Sequence, residues 1–367
     1  MKRHLLWAIA GASLASVASA AGVHAEDLDY FKSQVAPYST KPVFTAPGPA
    51  FDAVNCAKGK TLFSIPQSSA NPFTANIEKA MEAAAMKVGL TFTDWQNQGE
   101  TTQYVQGMDT AVNQKVSLID LLAGPDPRAL VPQVAAAKAA GIPVIASHFN
   151  GFEQSDTVAK YATGDVPIDY FKAGSLLADW AITRTGAKMN ALVVTASGPL
   201  SSDSTLAGIK AEIAKCPQCT FKILDYPGDW QSKITPGVQA ALLADPTVNY
   251  IITMYDPMTQ FVVPAVTITG SGDRVKIDGF NGTPFAVGFV QDGKIDMDLG
   301  ENLDWIGDAI IDSELRTICG MAPVKDPKMP LYIFTADNAK DAGTPPGLSQ
   351  GYGDAYEAGY AALWKLN

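Results

Sequence analysis

Six short segments hold the side chains best suited to chemistry. They are Pro66-Gln67-Ser68-Ser69-Ala70-Asn71-Pro72-Phe73, Ser147-His148-Phe149-Asn150, residues 197–203 ending at Asp203, Gly228-Asp229-Trp230, Tyr255-Asp256 and Asn281-Gly282. Each supplies an amide, hydroxyl, imidazole or carboxylate, mostly beside an aromatic ring. Planar polar groups hydrogen-bond hydroxyls and rings cover C–H faces, so the mixture suits a neutral polyhydroxylated ligand. Catalytic signatures are missing: no G-x-S-x-G elbow, no H-E-x-x-H and no G-x-x-x-x-G-K-[ST] occurs. His148 is the single histidine beyond the first 25 residues, and no tight serine motif accompanies it, so a Ser-His-Asp triad is disfavoured. It reads equally well as a ligand contact or as a hydrogen-bonded loop histidine. Carboxylate pairs act across space, so a carbohydrate-active enzyme using Asp203 with Glu301 or Asp256 stands as the alternative of a different class.

These segments need a scaffold, and the hydrophobic rhythm supplies one. A buried strand at 61–65 precedes a helix opened by Asn71 and Pro72, whose apolar face is Ile77, Met81, Ala84 and Val88. Further strands start near 90, 116 and 142, with helices near 101–114 and 128–140 between them. A fifth strand near 159–163 and a long helix near 168–185 follow. A second series has strands near 191–195, 221–225, 250–254 and 276–280. This spacing is that of β-α units building a parallel sheet with right-handed crossovers. One ten-stranded sheet would be unusually large, so two similar lobes fit better. Residues 296–299, a helix near 303–320 and a strand at 331–334 complete them. The six chemical segments then fall at carboxyl ends of strands, where open α/β sheets bind ligands.

The first 25 residues read as an export signal. Lys2 and Arg3 precede an apolar run from Leu5 to about Val17, too short to span a bilayer that needs about 20 residues. Two cleavage frames fit, after Ala20 and after Ala25, and the second leaves a polar start at Glu26. Residues 26–56, rich in Pro, Ser and Thr, read as an extended N-terminal arm. The chain of 367 residues carries a formal charge of −10, with 17% charged and 47% hydrophobic positions. No basic stripe is available for nucleic acid, and the leader and missing helix-turn-helix argue against a repressor. Export makes the four cysteines readable. Cys216-Pro217-Gln218-Cys219 has the spacing of a redox pair or half a zinc site, but no second C-x-x-C exists. A local disulfide there is the plainer reading, and Cys56 would then bridge to Cys319. No cofactor or metal is expected.

At this point the chain, from about residue 60 to 334, resembles the periplasmic sugar-binding proteins of ABC importers. Their type 1 fold is shared by ribose-, galactose- and xylose-binding proteins. The marks are Ser64-Ile65-Pro66…Asn71-Pro72-Phe73, Gly141-Ile142-Pro143-Val144-Ile145, Tyr255-Asp256-Pro257-Met258 and Asp278-Gly279-Phe280-Asn281-Gly282. The resemblance implies an α/β protein of two Rossmann-like lobes with parallel sheets, joined by a three-crossing hinge near 163–165, 300–302 and 327–331. The N-terminal lobe would be 57–164 completed by 301–330, and the C-terminal lobe 165–300 completed by 331–367. Carried over by position, it implies ligand contacts from Gln67, Asn71 and Phe73. His148 and Phe149 stand where an Asp-Arg pair is common, Asp203 where Arg is common, and Trp230 at an aromatic position. Tyr255 replaces an Asn beside Asp256, Asn281 replaces an Asp, and Glu301 stands for a Gln. Asp203, Asp256 and Glu301 would then place carboxylates around a cleft that receives no Arg or Lys. The implied function is capture of a small neutral sugar or polyol, in the periplasm, for an inner-membrane ABC permease, by a monomer. A sensor feeding a chemoreceptor or sensor kinase is the related alternative.

Overall fold

The computed structural model describes residues 25–366, with side chains from residue 28 onward. The export signal and both cleavage frames lie outside the described residues, apart from Ala25. Helix α1 (Ala25–Val35) and α2 (Ala53–Ala57) precede the first β-α series. That series is β1 (Thr61–Pro66), α3 (Pro72–Val88), β2 (Thr91–Asp94), α4 (Thr101–Gln114), β3 (Leu118–Leu122), α5 (Val131–Ala139), β4 (Val144–Ser147), the short α6 (Ser155–Val158) and β5 (Gly164–Val166). Its five strands are all parallel, in the order β2-β1-β3-β4-β5. The second series is α7 (Tyr170–Arg184), β6 (Asn190–Thr195), α8 (Leu200–Ile213), β7 (Thr220–Asp225), α9 (Trp230–Ala244), β8 (Tyr250–Thr253), α10 (Asp256–Ile268), β9 (Lys276–Asn281), α11 (Pro284–Gln291) and β10 (Met297–Glu301). Then come α12 (Leu303–Ile318), β11 (Leu331–Phe334) and α13 (Ala355–Leu363). The second sheet runs β11-β10-β9-β8-β6-β7, parallel except for β11 against β10. The protein is therefore an α/β molecule of two Rossmann-like lobes.

Local chemistry explains the elements that frame the site. The strand β3 and all of β1 but its first residue are buried, as expected of strands covered on both faces. Asn71 caps α3 by accepting the Phe73 N–H at 3.0 Å, Pro72 occupies the first turn, and Gly89 ends the helix at φ +72°. In the C-terminal lobe α7 and α8 approach so closely that a Cβ at Gly174 would strike the Thr205 carbonyl, and one at Gly208 the Phe171 carbonyl.

Four expectations are corrected. The fifth strand is 164–166 and not 159–163, because Ala159 and Ala162 N–H groups bond back to Ser155 and Val158 in a helical turn. The first crossing consequently follows Val166. The arm is not wholly extended: Leu28, Phe31 and Val35 share one face of α1 and pack in the core built on α7, β6 and β8. Finally, residues 331–367 do not all complete the C-terminal lobe. Ala339, Ala342 and Tyr352 do, but Tyr356, Tyr360, Leu363 and Trp364 of the last helix join Trp305 and α3 in the N-terminal core. The chain thus also passes between lobes at 40–52 and 335–354. Cys56 and Cys319 lie at disulfide distance (Cα–Cα 5.9 Å), as do Cys216 and Cys219 (5.3 Å). Among the described residues no helix is long and apolar enough to cross a membrane, and no cluster of His, Cys, Asp or Glu could hold a metal ion.

Candidate ligand-binding site

Strand order reverses at β1, between β2 and β3, and at β6, between β7 and β8. Ligands of open α/β sheets bind at such switch points, outside the carboxyl ends. A cavity of about 280 Å³ lies there, between the lobes. The N-terminal lobe lines it with Gln67 and Asn71 after β1, Phe73 and Thr74 on α3, Ala123 after β3 and His148 after β4. The C-terminal lobe contributes Tyr170, Ala196, Ser201, Trp230 and Tyr255, then Asn281 and Thr283. Pro199, Pro227 and Pro257 fill the gaps between these. Larger hollows of about 610 and 630 Å³ exist, but only the N-terminal lobe and its connecting segment line them, so lobe closure could not enclose a ligand there.

Seven expected contacts therefore meet in one place: Gln67, Asn71, Phe73, His148, Trp230, Tyr255 and Asn281. The other four do not line the cavity. Phe149 turns away and packs with Ala146, Val158 and Leu200, the last belonging to the opposite lobe. Asp203 is exposed on the first turn of α8, where Ser201 instead lines the cavity, and Ser201 and the buried Ser202 lie 3.0 and 2.8 Å from the Tyr255 hydroxyl. Asp256 is fully buried and accepts the Thr283 N–H and hydroxyl at 2.8 and 2.7 Å. Burial pushes its carboxyl up, and Glu301 pushes in the same direction; neighbouring Asp298 is raised well above its usual range, also by burial first. Glu301 is buried behind His148. The ring of carboxylates anticipated around the cleft is thus withdrawn from it.

His148 joins the lobes. Its backbone sits at φ +50°, outside the range a non-glycine residue adopts freely. One ring nitrogen, Nε2, is 2.9 Å from Glu301 Oε2, and the other, Nδ1, is 2.7 Å from the Tyr170 hydroxyl. With Tyr170 donating to Nδ1, Nε2–H is left to donate to the carboxylate. Burial raises the Tyr170 hydroxyl well above its ordinary value, so it remains a donor. Phe73 meets the His148 ring edge-on at 5.3 Å. Across the cavity, Trp230 and Tyr255 stack at 6.3 Å and 18°, held by Trp230 Nε1 donating to the Tyr226 carbonyl at 2.8 Å. Sequence reasoning missed the other nine lining residues, among them Tyr170, Ser201, Thr283 and the three prolines. The prolines had a visible signal, since each lies within a few residues of a C-terminal-lobe strand end.

Two lobes of this topology with a cavity between them, lined from both at the switch points of their sheets, have the architecture of a solute-binding protein. The profile of the periplasmic binding protein domain family matches residues 62–320, and the chain belongs to that family. No curated protein matches it. Among solved structures, it is similar to an ABC transporter periplasmic solute binding protein from Actinobacillus succinogenes 130z with bound D-allose. There the identity is 20%, the TM-score 0.68, and the match covers 77% of this chain and 99% of the other. A solute binding protein from Agrobacterium vitis bound to α-D-tagatopyranose gives 21% identity, TM-score 0.69 and coverage of 77% and 96%. A carbohydrate transporter from Acidothermus cellulolyticus 11B in complex with myo-inositol gives 25%, 0.63, 78% and 97%.

Proposed function

We propose that this protein is exported to the periplasm, captures one small neutral sugar or polyol between its lobes and hands it to an ABC-type permease in the inner membrane. The observation carrying this is the composition of the cavity: both lobes line it, at both switch points, and no Arg, Lys, Asp or Glu is among the lining residues. A ligand that touches both lobes only when they are closed favours that state through its differential affinity. On this reading the seven lining residues expected from sequence are the ligand contacts, with Phe73 and Trp230 covering C–H faces and Gln67, Asn71 and Asn281 meeting hydroxyls. The solved relatives with bound allose, tagatose or myo-inositol support the ligand class.

A thermal-shift screen over neutral sugars, polyols, sugar acids and cationic amines tests the reading. A specific ligand at a thousandfold excess over Kd stabilises by about 4 kcal/mol, an easily measured rise. A neutral hit is expected, with Kd nearly constant between about 0.05 and 0.5 M salt, because no charge in the cavity is there to be screened. Tight binding of a carboxylate, phosphate ester or cation with a steep salt dependence overturns it. Export also implies that the close cysteine pairs are oxidised, Cys56 to Cys319 and Cys216 to Cys219. Non-reducing peptide mapping of protein recovered from the periplasm checks this, and four free thiols would contradict it.

A further inference from the structure

Asn281 has the least ordinary backbone of the cavity residues. It ends β9, paired with Gly300 of β10, and its φ is +141°, a value that side chains of L-residues rarely allow; Gly282 follows at φ +70°. The Asn281 side chain lines the cavity, and among the described residues no protein group bonds its amide. Backbone strain of this kind persists only where the surroundings over-determine it. Two buried residues outside the cavity lining do so. Asp256, the first residue of α10, accepts both the N–H and the hydroxyl of Thr283, at 2.8 and 2.7 Å. The same carboxylate lies over Gly279 of β9, where a Cβ would come within 2.8 Å of its Oδ1. From the other side comes Tyr352, buried and edge-on to Phe334. Its hydroxyl packs against the turn so closely that a Cβ at Gly282 or at Gly300 would strike it.

The turn is thus fixed by packing one residue after Asn281 and by hydrogen bonds two residues after it. An amide serves a ligand best when it is already pointed, because ordering it during binding costs affinity. A loosened turn would let Asn281 relax toward ordinary extended backbone and swing its side chain away from the cavity. Resting on the reading of the cavity as the site for a neutral solute, we propose that Asp256 and Tyr352 are positioning residues for recognition. They touch no ligand themselves; they hold the turn after β9 in the strained form that presents the Asn281 amide.

Calorimetry on the full chain tests this with a panel of neutral hexoses, pentoses and inositols, the tightest binder serving as probe. Asp256→Ala is expected to weaken the probe by about tenfold, as is Asn281→Ala. Asp256→Asn, whose amide oxygen can still accept from Thr283, should restore most of the affinity. Tyr352→Phe keeps the ring in the core and removes only the packed hydroxyl, so it should weaken binding by about threefold even if Asp256→Ala fails to fold. The deciding readout is the background: with Ala already at 281, adding Asp256→Ala or Tyr352→Phe should change Kd by less than about twofold, while the unfolding midpoint falls as it does in the parent. Asn281→Gly should also unfold later than Asn281→Ala, since glycine adopts φ +141° freely. A Kd unmoved by Asp256→Ala and Tyr352→Phe, or weakened equally in both backgrounds, makes these residues part of the core only; it overturns the inference and leaves the neutral-solute reading standing. The reverse order of the two Asn281 variants removes the strain on which the inference rests. If nothing in the panel binds, the neutral-solute reading falls and the inference with it.

Discussion

At the cavity, the lobes meet through a few separable contacts: His148 to Glu301 and Tyr170, Gln154 Nε2 to the Leu200 carbonyl at 3.0 Å, and Phe149 against Leu200. Where the arm and tail cross, the joint is dense. Lys41 pairs with Asp341 of the C-terminal lobe's extension at 3.0 Å, and three residues later Phe44 stacks on Trp305 at 6.1 Å and meets Tyr360 edge-on at 5.0 Å. Below it, Arg316 Nε donates to Asp312 at 2.8 Å, its guanidinium reaches the Pro49 carbonyl, and Trp364 Nε1 donates to Asp312. A cleft that admits solute must separate at low cost, which favours isolated contacts there. The strap has no ligand to admit and can be packed as a core. Most of it lies outside residues 62–320, the span that the family profile matches.

If the two joints do different work, damage to them should be distinguishable. The largest effect is expected at the strap. Arg316→Met leaves Asp312 buried with the Trp364 N–H but without its ion-pair partner, a change that costs about 3–5 kcal/mol. Urea unfolding should show that loss, while calorimetry finds Kd within about twofold of the parent. An affinity that falls in step with stability would mean that the strap also sets the binding geometry.

The reverse behaviour is expected at the cavity. Trp230 is half-buried, on the first turn of α9, and stacked on Tyr255. Trp230→Ala should weaken ligand binding by about 2–4 kcal/mol, since an aromatic anchor dominates a small site. Stability should fall by only about 1–2 kcal/mol, less than at Arg316, because the half-buried ring packs at the edge of the C-terminal-lobe core and its N–H bonds the Tyr226 carbonyl. An unchanged Kd would place the ring outside the recognition surface and blur the contrast with the strap.

What was legible beforehand follows the same division. Strand positions at 61–66, 118–122 and 250–253 were visible because buried parallel strands are short apolar runs, and Trp230 and Tyr255 because each stands at the start of a helix just after a strand. Side-chain direction was not visible. The left-handed backbone at His148 turns Phe149 toward Leu200, and a rotation of about 100° per helical residue carries Asp203 away while Ser201 and Ser202 face Tyr255. The withdrawal of Asp256 and Glu301 depends on Thr283 and His148, partners brought close only by folding. The strap was partly readable: Leu28, Phe31 and Val35 have helical spacing, but nothing local says that they dock on α7.

A smaller effect, and the one that sharpens the comparison most, is expected from pH. Between the first sheet and the paired helices α3 and α12, Ser64 Oγ lies 2.6 Å from Glu78 Oε1 and 2.9 Å from Asp120 Oδ2. One hydroxyl proton cannot serve both, so at least one carboxyl donates in return. Burial is the leading cause in each case: Asp120 is pushed up to about 6, and Glu78 and Glu314 well above their usual range. The native state therefore holds protons that the unfolded chain releases from about pH 4 upward. The stability these groups contribute is complete below that pH and is lost as pH rises through 6 and beyond. Between pH 5 and 7, Asp120 alone should account for roughly 1.4 kcal/mol, the value of one pKa unit. Unfolding midpoints should fall over that interval, the opposite of a protein limited by acid, and Glu78→Gln should flatten the slope. None of the three carboxyls lines the cavity, so ligand affinity should change less than stability over the same range. A Kd that tracks the midpoint would show that this acid cluster and the cavity are coupled, and that the two joints are not independent.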